Sequence, residues 1–276
     1  MANILKLQRD LRSSADLRPS AAITVVETDR KIDRDEIKTE EVNLRPESRI
    51  AFHTDPHGSA ADRYRLLRMR LRELWIAGKL KTLLITSPLP TDGKSTTAMN
   101  VATALAEGGK YSVLLIEADL HHSPLAELLG IARGSGLAEC LEGTANLSAA
   151  IRRLQPLGWF VLPAGEAHGN PTELLHSEAF AQLMQKVVAC FDWVLIDSPP
   201  VLPLVDALLL KHHANATLLV ARAGKTPRES IEKSLSLIGR EHVLGVVLNA
   251  VDGLNQIYSK YSKYYGNSRA GAKNAK

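Results

Sequence analysis

The residues whose types and spacing most clearly suggest a chemical role are Gly93, Lys94 and Ser95, which follow an apolar run over 82–87. Gly-Lys-Ser between a strand and a helix is the pattern of a phosphate-binding loop. In such a loop, backbone N–H groups at the start of the helix bind phosphate oxygens. We therefore expect Lys94 to reach the terminal phosphates of a nucleotide and the Ser95 hydroxyl to bind Mg²⁺. The predicted nucleotide-binding residues are Pro90, Thr91, Asp92, Gly93, Lys94, Ser95 and Thr96.

Acidic residues end two further apolar runs. Asp197 follows one of them, and Glu117 and Asp119 follow the other. A single acid after a strand is usually a turn or cap residue, whereas three acids at two strand ends beside a phosphate loop indicate a metal-binding edge. The predicted metal ligands are Ser95, Glu117 and Asp197, and the predicted catalytic residues are Lys94, Glu117, Asp119 and Asp197.

Short apolar runs alternate along the chain with segments of helical spacing. Near-continuous apolar runs separated by helices are typical of parallel strands that are buried on both faces. We therefore predict an α/β fold with a mostly parallel sheet covered by helices on both faces. The predicted strands cover 82–87, 112–117, 159–163, 193–197, 216–221 and 243–249, and the predicted helices cover 59–78, 95–107, 124–129, 137–141, 171–189 and 227–238.

Composition divides the chain into three parts. Twenty of the first 50 residues are charged, against 44 of the remaining 226, so we expect residues 1–50 to be a largely disordered extension with a short strand over 23–26. Residues 51–252 are the predicted folded domain. Residues 253–276 predict a flexible basic tail that holds four of the six tyrosines, which are Tyr258, Tyr261, Tyr264 and Tyr265.

Charge and composition exclude several classes of protein. The net charge of +4 comes from the tail, because 255–276 holds five basic and no acidic residues and the rest of the chain holds 29 basic and 30 acidic ones. Nucleic-acid binders usually spread positive charge over a folded face, so we expect no nucleic-acid partner. No apolar run approaches the ~18 residues of a membrane helix, and the first residues lack the apolar core of a signal peptide. Cys140 and Cys190 lie in apolar stretches, as buried reduced thiols do, and these features together predict a cytoplasmic protein.

The predicted helix over 59–78 carries two neighbouring stripes. The apolar stripe predicts the face that docks on the domain. The charged stripe lies beside it, and we expect it to stay available after the helix docks. The apolar stripe is Leu67, Leu71, Leu74 and Trp75, and the charged stripe is Asp62, Arg65, Arg68 and Arg72.

In their order and spacing, these motifs resemble the cytoplasmic catalytic domain of the bacterial tyrosine kinases of capsule and exopolysaccharide synthesis. The resemblance covers about 56–265 and rests on the segments 87–97, 114–121, 136–143, 170–175, 196–200 and 245–249 and on the tyrosine tail. It implies a P-loop NTPase architecture like that of MinD and ParA proteins, with ATP and Mg²⁺ as cofactors and Asn249 as a further nucleotide-binding residue. Asp62, Arg65 and Arg68 resemble the oligomerisation motif of the family, Glu-x-x-Arg-x-x-Arg, with aspartate in place of glutamate.

The function that the resemblance implies is ATP-dependent autophosphorylation on tyrosine. The acceptors would be the four tail tyrosines, and the phosphoryl group would pass between subunits of a homo-oligomer such as a ring. The implied partners are a separate inner-membrane polysaccharide chain-length or export protein, which would activate the kinase and recruit it to the membrane, and a phosphotyrosine phosphatase.

Three positions depart from the usual patterns. Pro88 replaces the first glycine of the phosphate loop, and Glu117 and His121 replace aspartate and arginine in the Asp-x-Asp-x-Arg motif of the family. The extra methylene of Glu117 moves its carboxylate by about 1 Å, a displacement that can slow a reaction about 100-fold. The alternative function is therefore a nucleotide-binding regulatory partner of a polysaccharide export complex with weak or no kinase activity. A partitioning ATPase of the same architecture is disfavoured, because its signature lysine would stand at Leu89.

Overall fold

A sheet of eight strands forms the centre of the computed structural model, which describes residues 32–44 and 46–251. The strand order is β1-β4-β5-β3-β6-β2-β7-β8, and neighbouring strands are parallel except for β4 and β5. The mostly parallel sheet predicted from the sequence is thereby confirmed. The strands are β1 (Thr39–Glu41), β2 (Thr82–Thr86), β3 (Val113–Glu117), β4 (Arg152–Gln155), β5 (Phe160–Leu162), β6 (Trp193–Asp197), β7 (Ala216–Arg222) and β8 (Val243–Asn249).

Helices connect the strands, and most lie close to the predicted positions. They are α1 (Ala51–Thr54), α2 (Ser59–Ile76), α3 (Lys94–Ala106), α4 (Leu125–Leu129), α5 (Leu137–Leu141), α6 (Leu147–Ala150), α7 (Pro171–Leu175), α8 (Glu178–Cys190), α9 (Asp206–Leu210) and α10 (Arg228–Ile238). Single 3₁₀ turns lie at Pro46–Ser48, Lys211–His213 and Arg240–His242.

Alternate residues of the central strands face opposite layers of helices. Leu83 of β2 and Leu115 of β3 belong to the apolar cluster that contains the buried face of α3. Leu84 and Leu114, one position away on the same strands, belong to the opposite cluster with Phe180 of α8. The period-two alternation of strand side chains thus places helices on both faces of the sheet, as the near-continuous apolar strands predict.

Helix α2 docks through the apolar stripe predicted for it. Leu71 is fully buried, and Leu67, Leu74 and Trp75 are partly buried against the cluster that also contains α3. The Trp75 indole donates a hydrogen bond to the carbonyl of Asp192 at 3.0 Å. The sequence therefore identified the docking face of this helix correctly.

The predicted disordered extension over 1–50 is wrong for the residues that the structure describes. Strand β1 pairs in parallel with β4, and Ile37 and Ile50 are buried. The high charge of this segment misled the prediction, and one of its acids, Glu40, is paired within the fold. Glu40 on β1 lies 3.2 Å from the guanidinium of Arg152 on β4, and both side chains are largely buried. The folded part therefore begins well before residue 51.

Other differences concern the second half of the chain. The predicted helix over 171–189 is two helices, α7 and α8, because the Ser177 hydroxyl accepts a hydrogen bond from the N–H of Phe180 and starts a new helix. Strand β4 and helix α9 were not predicted, since β4 begins with two arginines and α9 with an aspartate.

Several predictions fall on residues outside the description. The strand over 23–26, the tail 253–276 and the four tail tyrosines lie there and stay predictions. Within the described ranges, no helix is both long and apolar enough to cross a membrane.

Candidate nucleotide-binding and catalytic site

The phosphate loop joins β2 to α3 and is shaped by contacts from β8 and the segment after β7. Gly93 has a φ of 100°, and a side chain there would collide with the amide of Asn249. That amide donates a hydrogen bond to the carbonyl of Asp92 at 3.0 Å. The Asp92 carboxylate accepts hydrogen bonds from the N–H of Leu89 at 3.1 Å and the Thr226 hydroxyl at 2.7 Å. Asp92 and Asn249 therefore hold the shape of the loop, a role that the sequence did not suggest.

Lys94 is the first residue of α3 and points towards the acidic strand ends. Its ammonium lies 2.9 Å from a carboxylate oxygen of Asp119, and both side chains are largely buried. Burial alone would lower the pKa of Lys94, but Asp197 and Asp119 outweigh it, and the net shift is upward. Lys94 is therefore charged and held in place before any phosphate arrives.

Asp197 ends β6, which lies between β2 and β3 in the sheet. Its side chain is fully buried, and neither carboxylate oxygen has a hydrogen-bond donor among the described residues. Burial raises the pKa of Asp197 to about 6, although Lys94 and the nearby Ser95 hydroxyl favour the charged form. A buried carboxylate without donors is costly, so this pair of oxygens suits a cationic ligand.

Glu117 lies directly beside Asp197 in the register of β3 and β6 but faces different partners. Its two oxygens accept hydrogen bonds from the backbone N–H groups of Leu125, at 2.7 Å, and Ala164, at 3.0 Å. Burial raises the pKa of Glu117 to about 7, against the effect of these two hydrogen bonds. In this arrangement Glu117 joins α4 to the segment after β5, and its metal and catalytic roles stay predictions.

The residues around Asp197 fit Mg²⁺. This ion usually takes one or two protein ligands and completes its shell with water and substrate phosphates. Asp197 offers two oxygens without donors, and Ser95 lies at the start of α3 near it. No cluster of three or more His, Cys, Asp or Glu side chains suited to a metal occurs in the described ranges. Asp197 and Ser95 with nucleotide phosphates would therefore hold the ion, whereas Glu117 is engaged elsewhere.

A buried contact that the sequence did not reveal lies next to Asp119. Asp206, at the start of α9, is fully buried, and its oxygens lie 3.0 Å from His121 Nε2 and 2.7 Å from the Thr172 hydroxyl. Asp206 interrupts an otherwise apolar stretch over 204–210, and an acid in such a stretch is the one signal that could have identified it. His121, which stands where the family motif has arginine, is therefore a partner of a buried carboxylate.

These elements surround one cavity of about 750 Å³, a volume typical of small-molecule sites. Most of the predicted nucleotide-binding residues line it, and Asp92, Glu117 and Asp197 lie behind its wall. Its lining includes Pro90, Thr91, Gly93, Lys94, Ser95, Thr96, Asp119 and Asn249 from the predicted set, and Glu47, Arg49, His121 and Arg222 from outside it.

The predicted oligomerisation residues lie on α2, but their side chains are engaged within the chain. Arg65 lies 2.7 Å and Arg68 2.5 Å from the carboxylate of Glu107, which follows α3, and Arg65 also pairs with Asp62 at 3.0 Å. The hydrogen bond from Arg65 is the main reason that the pKa of Glu107 is lowered. Glu107 therefore engages both arginines within the chain, and their role in oligomerisation stays a prediction.

The parallel sheet, the phosphate loop and the acids at the neighbouring strand ends define a P-loop nucleotide-binding protein. A family model described as an AAA domain matches residues 91–240. The chain is 31% identical over 222 residues to tyrosine-protein kinase YwqD of Bacillus subtilis, which covers 80% of this chain and 91% of that protein. It is also 31% identical over 234 residues to tyrosine-protein kinase wzc of Salmonella typhimurium, which covers 84% of this chain but 32% of that protein.

A solved structure gives the same assignment. The kinase domain of the Escherichia coli tyrosine kinase ETK matches with a TM-score of 0.70 and 26% identity, over 82% of this chain and 95% of that one. The chain belongs to the family of bacterial tyrosine-protein kinases. The resemblance found in the sequence is thus confirmed, together with the enzyme class that it implied.

Proposed function

We propose that this protein transfers the γ-phosphoryl group of ATP to tyrosine hydroxyls, among them the tyrosines of its own C-terminal segment. The observation that carries the proposal is the Lys94–Asp119 ion pair beside the buried carboxylate of Asp197, whose oxygens have no hydrogen-bond donor among the described residues. Phosphoryl transfer depends mainly on positioning and on neutralising the charge of the phosphates. The site offers a cation for the phosphates, an acid that can take a proton and a carboxylate suited to a metal.

Each residue has a defined task in this mechanism. Lys94 exchanges Asp119 for the phosphate oxygens when ATP binds. Asp119, released from the ion pair, accepts the proton of the tyrosine hydroxyl as the Oη–Pγ bond forms and the bond between Pγ and the β,γ-bridging oxygen breaks. ADP is the leaving group. Mg²⁺ held by Asp197 and Ser95 would neutralise negative charge on the phosphates.

The acceptors that we propose are Tyr258, Tyr261, Tyr264 and Tyr265, with transfer between subunits of a homo-oligomer. The supporting observation is in the sequence, where lysines alternate with these tyrosines and suit a cavity that meets anionic phosphates. Each phosphate adds roughly −1.5 to −2 charges, so about three or four would reverse the charge of the five basic residues of the tail. We propose that the protein acts in the cytoplasm and that this charge reversal regulates a machinery for exopolysaccharide or capsule export. The regulation acts through a separate inner-membrane partner, and a phosphatase removes the phosphates from the tail.

The experiment is incubation of the pure protein with ATP and Mg²⁺, followed by detection with an anti-phosphotyrosine antibody and by mass spectrometry. Wild-type protein should gain phosphate on tyrosine, and the Lys94→Met variant should gain none. Equal labelling of both proteins would overturn the assignment of the site.

A second candidate is a nucleotide-binding regulatory partner without phosphoryl transfer. The position of Glu117 favours it, because both oxygens of this acid are bound to backbone N–H groups. The same assay separates the two candidates. Nucleotide binding with no phosphotyrosine, in wild-type protein at saturating ATP and Mg²⁺, would favour the regulatory role.

A further inference from the structure

The segment that precedes α1 forms one wall of the nucleotide cavity. Glu47 and Arg49 line the cavity, as do Arg222 and Asn249 at the ends of β7 and β8. Arg49 has a φ of 51°, in the left-handed region that residues with a side chain rarely adopt. Such backbone strain persists only where surrounding contacts hold it, and it is concentrated at functional sites.

A buried side chain of α3 holds Arg49 in this conformation. The Asn100 amide group donates to the carbonyl of Arg49 at 3.0 Å, and its oxygen accepts from the N–H of Ala51 at 2.7 Å. Ile50, between these two contacts, is fully buried. Asn100 also donates to the carbonyl of Thr96 at 2.9 Å, in the first turn of the phosphate-binding helix. The position of Arg49 is therefore fixed relative to the phosphate loop.

Arg49 differs from the other lysine and arginine side chains of the cavity. Lys94 pairs with Asp119, and Arg222 donates to the carbonyl of Thr91 at 3.2 Å. The guanidinium of Arg49 makes no hydrogen bond or ion pair to any residue in the described ranges. A strained backbone, a buried amide that enforces it and a guanidinium with free donors occur together at one edge of the site.

We infer that Arg49 binds the γ-phosphate of the nucleoside triphosphate at this site. Guanidinium groups bind phosphate through two parallel N–H···O bonds, and these bonds are stronger than neutral ones. Arg222 and Asn249 line the cavity from the ends of β7 and β8, whereas Arg49 lines it from the segment after the 3₁₀ turn at Pro46–Ser48, which contacts α4. The two arginines therefore approach the cavity from different elements of the fold. The inference rests on the nucleotide site of the proposed function but not on transfer to tyrosine.

The strain at Arg49 permits a sharp test. Arg49→Gly removes the guanidinium and also relieves the left-handed conformation, which glycine adopts freely. The fold should therefore be as stable as in the wild type or more stable, while binding of the γ-phosphate weakens. Arg49→Lys should recover part of the binding, because it keeps the charge and loses the paired donors. Arg228→Gly is the control, since it removes an arginine whose side chain is 92% exposed at the start of α10.

Stability is measured as the thermal unfolding midpoint. Binding is measured by titration in the presence of Mg²⁺ with three ligands, which are ADP, the β,γ-imido analogue of ATP and a phosphotyrosine peptide with the sequence of 256–266. For Arg49→Gly, affinity for the imido analogue should fall about 10- to 100-fold, with ADP affinity within about twofold of wild type. A loss confined to the phosphotyrosine peptide would show that Arg49 binds the same group on the product, and would overturn the assignment to the γ-phosphate.

Equal weakening of both nucleotides, or unchanged affinity for all three ligands, would overturn the inference. The outcome for the proposed function is separate. If wild-type protein binds the imido analogue through Arg49 but forms no phosphotyrosine with ATP, the inference stands and the kinase proposal fails.

Discussion

Lys94 and Asp119 bind each other at 2.9 Å, although one is expected to meet the phosphates and the other the tyrosine proton. Each therefore blocks the other until a nucleotide arrives. Phosphate oxygens that attract Lys94 would free Asp119 at the moment when a proton acceptor is required. The ion pair thus links nucleotide binding to the readiness of the proton acceptor.

Substitution of each partner should have a different effect. Lys94→Met should abolish both nucleotide binding and phosphotyrosine formation, because the cation for the phosphates is lost. Asp119→Asn should keep or increase nucleotide affinity, since Lys94 is freed, while the transfer rate falls about 10²- to 10⁴-fold. Nucleotide titration and single-turnover transfer measure the two quantities. Loss of nucleotide binding in Asp119→Asn, with an unchanged unfolding midpoint, would show that the acid serves binding and not proton transfer.

The raised pKa of Glu117 predicts how the free energy of unfolding depends on pH. Its pKa is about 7 in the folded protein against a usual value of 4.5, so the folded state holds the proton more tightly than the unfolded one. The stabilising contribution is fully present below pH 4.5 and is lost as the pH rises through 7. The whole change is on the order of 3 kcal/mol.

Glu117→Gln removes this titration. Urea unfolding between pH 4.5 and 7.5 should therefore show a smaller decline of the unfolding free energy with pH for the variant than for the wild type. Some decline should remain in both proteins, because the pKa of Asp197 is also raised, to about 6. Parallel curves for the two proteins would contradict the raised pKa of Glu117.

The pair of His121 and Asp206 predicts which substitutions the site tolerates. His121→Ala leaves a fully buried carboxylate with Thr172 as its remaining partner and should lower the unfolding free energy by about 1–3 kcal/mol. His121→Arg places a permanent cation and a hydrogen-bond donor beside Asp206 and should leave stability close to the wild type. Chemical denaturation at pH 7 compares them. Equal stability of the alanine and arginine variants would show that Asp206 does not depend on this partner.

Much of the site could be predicted because local pattern and chemistry coincide there. The phosphate loop, the acid at the end of β6 and the apolar stripe of α2 each follow from spacing alone. The missed features depend on pairs far apart in the chain. Glu40 and Arg152 give their strands a polar sequence, although their opposite charges are paired in the fold. Similarly, no local pattern indicates that Glu117 accepts hydrogen bonds from the N–H groups of Leu125 and Ala164, while its neighbour Asp197 has no donor within the part of the chain that the structure describes.

Assembly through α2 must compete with the contact between its arginines and Glu107. Arg65→Ala with Arg68→Ala should shift a concentration-dependent oligomer to monomer in light scattering. The loss of fold stability should be small, because partly exposed ion pairs contribute about 1 kcal/mol or less. Glu107→Gln is the matched control, since it breaks the same contact but keeps both arginines. If the arginines hold the oligomer together, Glu107→Gln should assemble at least as well as the wild type. If Glu107→Gln and the double alanine variant both dissociate, the contact between Glu107 and the arginines within each chain supports assembly instead.

Transfer between subunits can be tested with two complementary variants. One carries phenylalanine at Tyr258, Tyr261, Tyr264 and Tyr265 and keeps its site, and the other carries Lys94→Met and keeps its tail. Neither should accumulate tail phosphate alone, because the first has no acceptors and the second cannot hold the phosphates of ATP. Mixed with ATP and Mg²⁺, the pair should produce phosphate on the tail of the Lys94→Met chain, identified by mass spectrometry of the tail peptide. If Arg65 and Arg68 form the contact between subunits, adding their alanine substitutions to both chains should abolish this labelling. Phosphate confined to Tyr64 or Tyr111, or an unlabelled Lys94→Met chain, would refute transfer between subunits through the tail.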